Sequence, residues 1–77
     1  MRTKRIYANI KNSQKLRVIL NGVGIYTTVS ETEYLFGNRD HYLAVGRALE
    51  EISNECGDIT GFAYRTPSGI DVQVDLL

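Results

Sequence analysis

Asn21-Gly22 stands between two alternating runs, and this dipeptide constrains the fold more tightly than any other feature of the sequence. A two-residue hairpin loop of type I′ needs positive φ at both central residues, which Asn-Gly accommodates best. Such a loop pairs Leu20 with Val23, Val18 with Ile25 and Leu16 with Thr27. All three pairs fall on one apolar face. Arg17 then opposes Tyr26, and Ile19 opposes Gly24, on the other face. Turn chemistry and alternation agree, so Leu16–Leu20 and Val23–Val29 are read as one hairpin.

A second hairpin is expected from Ile59–Arg65 and Ile70–Leu76. A three-residue loop, Pro67-Ser68-Gly69, pairs Thr66 with Ile70, Tyr64 with Val72 and Phe62 with Val74. Aromatic residues then oppose valines on the core face, and Arg65 meets Asp71 on the other. A two-residue loop would set Asp71 against Thr66 and spoil this sorting. Upstream, Ile6, Ala8 and Ile10 alternate with Tyr7, Asn9 and Lys11, which predicts a strand over Arg5–Lys11. Ile70–Leu76 is long and regular and reads as a sheet edge, open to pairing with a second copy. Asp71 and Asp75 would discourage that pairing.

Between the hairpins, Tyr42, Val45, Leu49 and Ile52 recur at helical steps, with Ala48 widening the stripe. Asn38 or Asp40 is the expected N-cap. Gly57 is the expected stop. Gly46 lies mid-helix, where it lets the helix approach the sheet closely. Ser30-Glu31-Thr32-Glu33 has the spacing of a capping box and predicts a single turn ending at Gly37. The expected architecture is α+β. It is a two-layer domain over residues 1–77, with a five-stranded, mostly antiparallel sheet and one amphipathic helix on one face, in the order β-β-β-α-β-β.

Composition supports a core in a chain of 77 residues, 43% of them hydrophobic. No apolar run is long enough to span a membrane, and no membrane partner is expected. The basic start lacks the apolar stretch of a signal peptide. A lone cysteine, Cys56, excludes an internal disulfide and a cysteine-built zinc site, and fits a cytoplasmic setting.

Charge is segregated along the chain. Through Ser30 there are six basic residues and no acid; from Glu31 onward there are nine acids and three basic residues. The two parts therefore carry net +6 and −6. Two surface patches of opposite sign would steer different partners. A fold that sets the early strands beside the late ones would neutralise them instead.

Nothing in the sequence forms a catalytic signature, and the protein is expected not to be an enzyme. His41 has no second histidine or cysteine beside it, so neither a metal site nor a triad is expected. Cys56 is flanked by Glu55 and Asp58, which oppose thiolate formation. Asn21-Gly22-Val23-Gly24 joins two strands and opens no helix, so it is not a phosphate loop. No cofactor is expected.

The face turned away from the core is more informative. It carries rings and cations together, and Tyr7, Lys11, Arg17 and Tyr26 are the candidate partner-binding residues. Aromatic residues interleaved with cations on a sheet can hold single-stranded nucleic acid. They also serve as protein-interface anchors.

Strand-rich ends around one helix at Asp40–Asn54, with no motif, make the chain similar in size and layout to the small proteins that phages and mobile elements use against bacterial defence, anti-CRISPR proteins among them. The resemblance implies an inhibitor that blocks a host protein or nucleoprotein complex stoichiometrically, in the host cytoplasm. The alternative is a nucleic-acid-binding protein using the basic, tyrosine-bearing face. A homodimer is left open.

Overall fold

The computed structural model describes residues 10–32, 38–55 and 59–77. Strand β1 (Lys15–Leu20) turns back into β2 (Val23–Thr28) through Asn21-Gly22. Helix α1 (Arg39–Asn54) follows, and β3 (Gly61–Arg65) and β4 (Asp71–Leu76) form the second hairpin. The four strands make one antiparallel sheet in the order β2-β1-β4-β3.

Both hairpins have the register that their turns dictate. Leu20 pairs with Val23, Val18 with Ile25, and Leu16 with Thr27. Asn21 and Gly22 have φ of 50° and 87°, the left-handed region that an Asn-Gly loop supplies at least cost. In the second hairpin Tyr64 pairs with Val72 and Phe62 with Val74. Its loop is closed by hydrogen bonds from Thr66 N to Ile70 O and from Gly69 N to Thr66 O, both 2.9 Å.

Helix α1 begins at Asn38, whose Oδ1 accepts from the backbone N–H of Asp40 at 2.8 Å and of His41 at 3.4 Å. Two otherwise orphaned helical donors are thereby satisfied. The helix buries Ala44, Val45, Ala48, Leu49 and Ile52. It packs over β3 and β4. Leu16, Val18 and Val74 meet that stripe as fully buried side chains, and Ile10 and Val29 complete the core. Tyr64 donates its hydroxyl to the Ala44 carbonyl at 2.7 Å, tying β3 to the helix. Its burial pushes the phenol pKa up, partly opposed by Arg47.

Two expectations are revised, and the fifth strand lies mostly outside the described residues. Four strands, not five, are present among the described residues. The strand expected over Arg5–Lys11 falls mostly outside those residues: Ile10 forms an isolated bridge, and Lys11 belongs to no strand. The C-terminal strand is not an edge. β4 lies between β1 and β3, pairing Leu16 with Leu76 and Val18 with Val74 on one side. Its two aspartates therefore meet arginines on neighbouring strands and guard no edge. Val23, assigned to the core face, is 63% exposed, because β2 ends the sheet while the helix lies over the opposite half.

The turn expected at Ser30–Gly37 and the stop at Gly57 fall largely outside the described residues. Within them, Thr28 Oγ1 accepts from Glu31 N at 3.3 Å, and Thr32 Oγ1 donates to Val29 O at 2.7 Å.

Candidate binding face of the sheet

Alternation sends every second strand residue away from the helix. The outer face is therefore built in rows that cross the strands. One row runs Tyr26, Arg17, Asp75, Gly61; the next runs Gly24, Ile19, Gln73, Ala63; a third carries Asp71 and Arg65.

The first row contains two of the expected site residues in direct register. Tyr26 is 73% exposed. Arg17 lies between it and Asp75. Its Nε and Nη2 both donate to Asp75 Oδ2, at 3.3 and 2.9 Å. Gln73 Nε2 donates to the same oxygen at 2.9 Å. The Arg17 hydrogen bonds, then that of Gln73, hold the Asp75 carboxyl below the usual carboxylate range against a desolvation that raises it. Asp75 in turn raises the Arg17 pKa, with a lesser contribution from Tyr26. Gly61 closes the row. A Cβ there would collide with Asp75 Oδ1, so the absence of a side chain makes room for the carboxylate.

A second ion pair stands two rows away. Arg65 Nε and Nη2 donate to the two Asp71 oxygens, at 2.7 and 3.1 Å, a two-bond fork. This lowers the Asp71 pKa. The backbone of Asp71 also exchanges hydrogen bonds with Asn21, through Asn21 N to Asp71 O and Asp71 N to Asn21 Oδ1, both 2.9 Å. The first turn is thus latched to the start of β4.

Of the four residues expected to bind a partner, the structure brings Arg17 and Tyr26 together. Lys11 is exposed in the turn before β1, apart from the strand rows. Tyr7 lies outside the described residues. Asp75 and Gly61 of the same row, and Gln73 of the next, were not among the expected site residues. Strand alternation in Asp71-Val72-Gln73-Val74-Asp75 places the acids on the outer face, but nothing local says which strand they will lie beside.

The opposite charges of the two chain halves meet in this sheet. β1, from the basic half, pairs with β4, from the acidic half, and Arg17–Asp75 joins them. Among the described residues, no group of three or more His, Cys, Asp and Glu side chains is placed to hold a metal ion, and no helix is long and apolar enough to cross a membrane. His41 is half-buried near the start of α1, and Cys56 lies outside the described residues. No family model, curated protein or solved structure matches the chain.

Proposed function

We propose that this is a non-enzymatic binding protein that acts by occupying a partner's surface with the outer face of its sheet. Tyr26 carries the reading. A large ring stands 73% exposed on a regular strand, in register with an arginine that is already fixed. Burying a ring contributes much apolar area for few frozen torsions. An arginine held by Asp75 loses less freedom on binding than a mobile one, and keeps N–H donors beyond the two that Asp75 accepts.

The partner class proposed is protein. Direct binding of nucleic acid is the competing reading, and the charge arrangement weighs against it. Phosphate recognition needs cations free to replace counterions. Arg17 and Arg65, two cations of this face, are each paired with an aspartate. The finer proposal, resting on the likeness in size and layout, is a phage or mobile-element inhibitor that blocks a host defence protein or nucleoprotein complex one-to-one.

Capture from a nuclease-treated bacterial lysate, repeated with Tyr26→Ala, tests this reading. The expected result is a protein partner that survives nuclease and whose affinity falls at least about tenfold, roughly 1.4 kcal/mol, in the variant. Capture that disappears with nuclease, together with steeply salt-dependent binding of a single-stranded oligonucleotide, would establish the competing reading.

A further inference from the structure

Asn21 stands in the sequence context in which an asparagine modifies its own backbone. Of the asparagines in the chain, it alone precedes a glycine. Cyclic imide formation needs the next backbone nitrogen to reach the side-chain amide carbon. Asn12, Asn38 and Asn54 precede Ser13, Arg39 and Glu55, whose side chains crowd that nitrogen. Gly22 imposes no crowding: even a Cβ built on it would meet nothing within 4 Å. Both turn residues are exposed, so water and base have access. Among the described residues, the Gly22 N–H donates to no backbone carbonyl.

The fold works against this reactivity. β1 and β4 pair as far as Leu20 and Val72. One residue further, Asp71 N–H is accepted by Asn21 Oδ1 at 2.9 Å, and Asn21 N–H donates to Asp71 O at 2.9 Å. The side-chain oxygen thus takes the place that a backbone carbonyl fills in a regular ladder. Thr66 N donates to Ile70 O, so by ladder alternation the Asp71 N–H points away from β3. The Asn21 carboxamide is held across to β4. To bring Cγ over Gly22 N it must rotate and give up the Asp71 N–H.

We infer that Asn21 is a site of self-modification, deamidation through a cyclic imide, which the hydrogen bond from Asp71 N–H holds in check. Gly22 N gives its proton to base and bonds to Asn21 Cγ. The Cγ–Nδ2 bond breaks, and Nδ2 leaves as ammonia with a proton returned from the base. One water then opens the ring. Cleavage at Cγ gives aspartate; cleavage at the former peptide carbonyl gives isoaspartate, which routes the chain through Cβ and Cγ. No atom is oxidised or reduced. Either product sets a new carboxylate beside Asp71, whose own oxygens already accept from Arg65. Isoaspartate also lengthens the two-residue loop by one backbone atom, and the register of β1 with β2 rests on that loop. A transient opening of the latch is thereby converted into a lasting change at the end of the β1–β4 pair.

Peptide mapping by mass spectrometry, with isoaspartate resolved from aspartate, tests it on the full chain held at mildly alkaline pH, folded and in urea. The expected result is modification at Asn21 that is slow in the folded chain and fast in the unfolded one. Asp71→Pro, at the first position of β4 where proline is tolerated, deletes the donor. Asp71→Ala removes the carboxylate and keeps the N–H. The proline variant is expected to deamidate about fivefold faster than the alanine variant, the shift in an opening equilibrium that one hydrogen bond is worth. A synthetic chain with an ester in place of the Ile70–Asp71 amide loses only the N–H, and reads the same step where the proline ring disturbs folding. Ile52→Val, which loosens the core and leaves the latch intact, separates local from global opening and is expected to leave the rate unchanged. Parental protection in the ester chain, equal acceleration by Ile52→Val, or a folded parent that deamidates as fast as the chain in urea would overturn the inference.

Discussion

Arg17 gives two hydrogen bonds to a single oxygen of Asp75, across a strand pair separated by 58 residues in the chain. This contact joins the basic half of the sequence to its acidic half. It also fixes the guanidinium beside Tyr26. The same residue thus serves the fold and the proposed surface.

Acid should expose the role of these pairs in stability. Asp75 and Asp71 have folded-state pKa values below the ordinary carboxylate value, through Arg17 and Arg65 respectively. The unfolded chain then binds protons more tightly than the folded one. Their contribution is therefore complete above the unfolded value, about 3.9, and is lost as pH falls through the depressed folded values. Melting temperature should be insensitive to these groups at neutral pH and should fall in that acidic window. Asp75→Asn should flatten part of the fall; an unchanged acid profile in that variant would exclude Asp75 as a cause.

Gly61 and Asp75 should be coupled. Gly61→Ala places a methyl group against the Asp75 carboxylate, whose position Arg17 and Gln73 fix. A loss of about 1 kcal/mol is expected. With Asp75→Ala already present, the same change should cost less or become favourable, because alanine restricts the unfolded chain more than glycine does. A double-mutant cycle measures the coupling, and strictly additive effects would show that Gly61 does not make room for Asp75.

Leu49 is 1% exposed on the helix face that meets the sheet. Leu49→Ala should destabilise by roughly 2–5 kcal/mol, through lost burial and the cavity left behind. For a domain of this size that approaches the whole folding free energy. Denaturant unfolding reads the effect, and an unmoved midpoint would contradict the packing.

Gly22→Val should be harmful. Valine resists the φ of 87° found at this position, although no atom would obstruct its Cβ. A cost of roughly 1–2 kcal/mol or more is expected from backbone strain alone. Asn21→Ala should also destabilise, since it removes the acceptor for the Asp71 N–H. Parental stability in Gly22→Val would contradict the turn conformation.

The parts legible in the sequence are those governed by local rules. Asn21-Gly22 set the first register, the three-residue loop after Thr66 set the second, and the spacing from Val45 to Ile52 marked the buried helix face. Strand order was not legible, because it depends on pairing distant segments. Leu16 opposite Leu76 leaves no signal in either neighbourhood. Val72 and Val74 alternate with polar residues as they would on a central or an edge strand, so Asp75 read as an edge guard until its partner was known. The candidate site was half legible for the same reason. Arg17 and Tyr26 share a hairpin, whereas Asp75, Gly61 and the neighbouring Gln73 reach them only through the long-range pairing of β4.

Tyr26→Ala, followed on one preparation by thermal unfolding and by partner affinity, tests the central claim most directly. Tyr26 is mostly exposed, so the melting transition should remain within about 0.5 kcal/mol of the parent. Affinity for the nuclease-resistant protein partner should fall at least about tenfold. A variant that folds as the parent does and binds with parental affinity would contradict the assignment of this face as the binding surface.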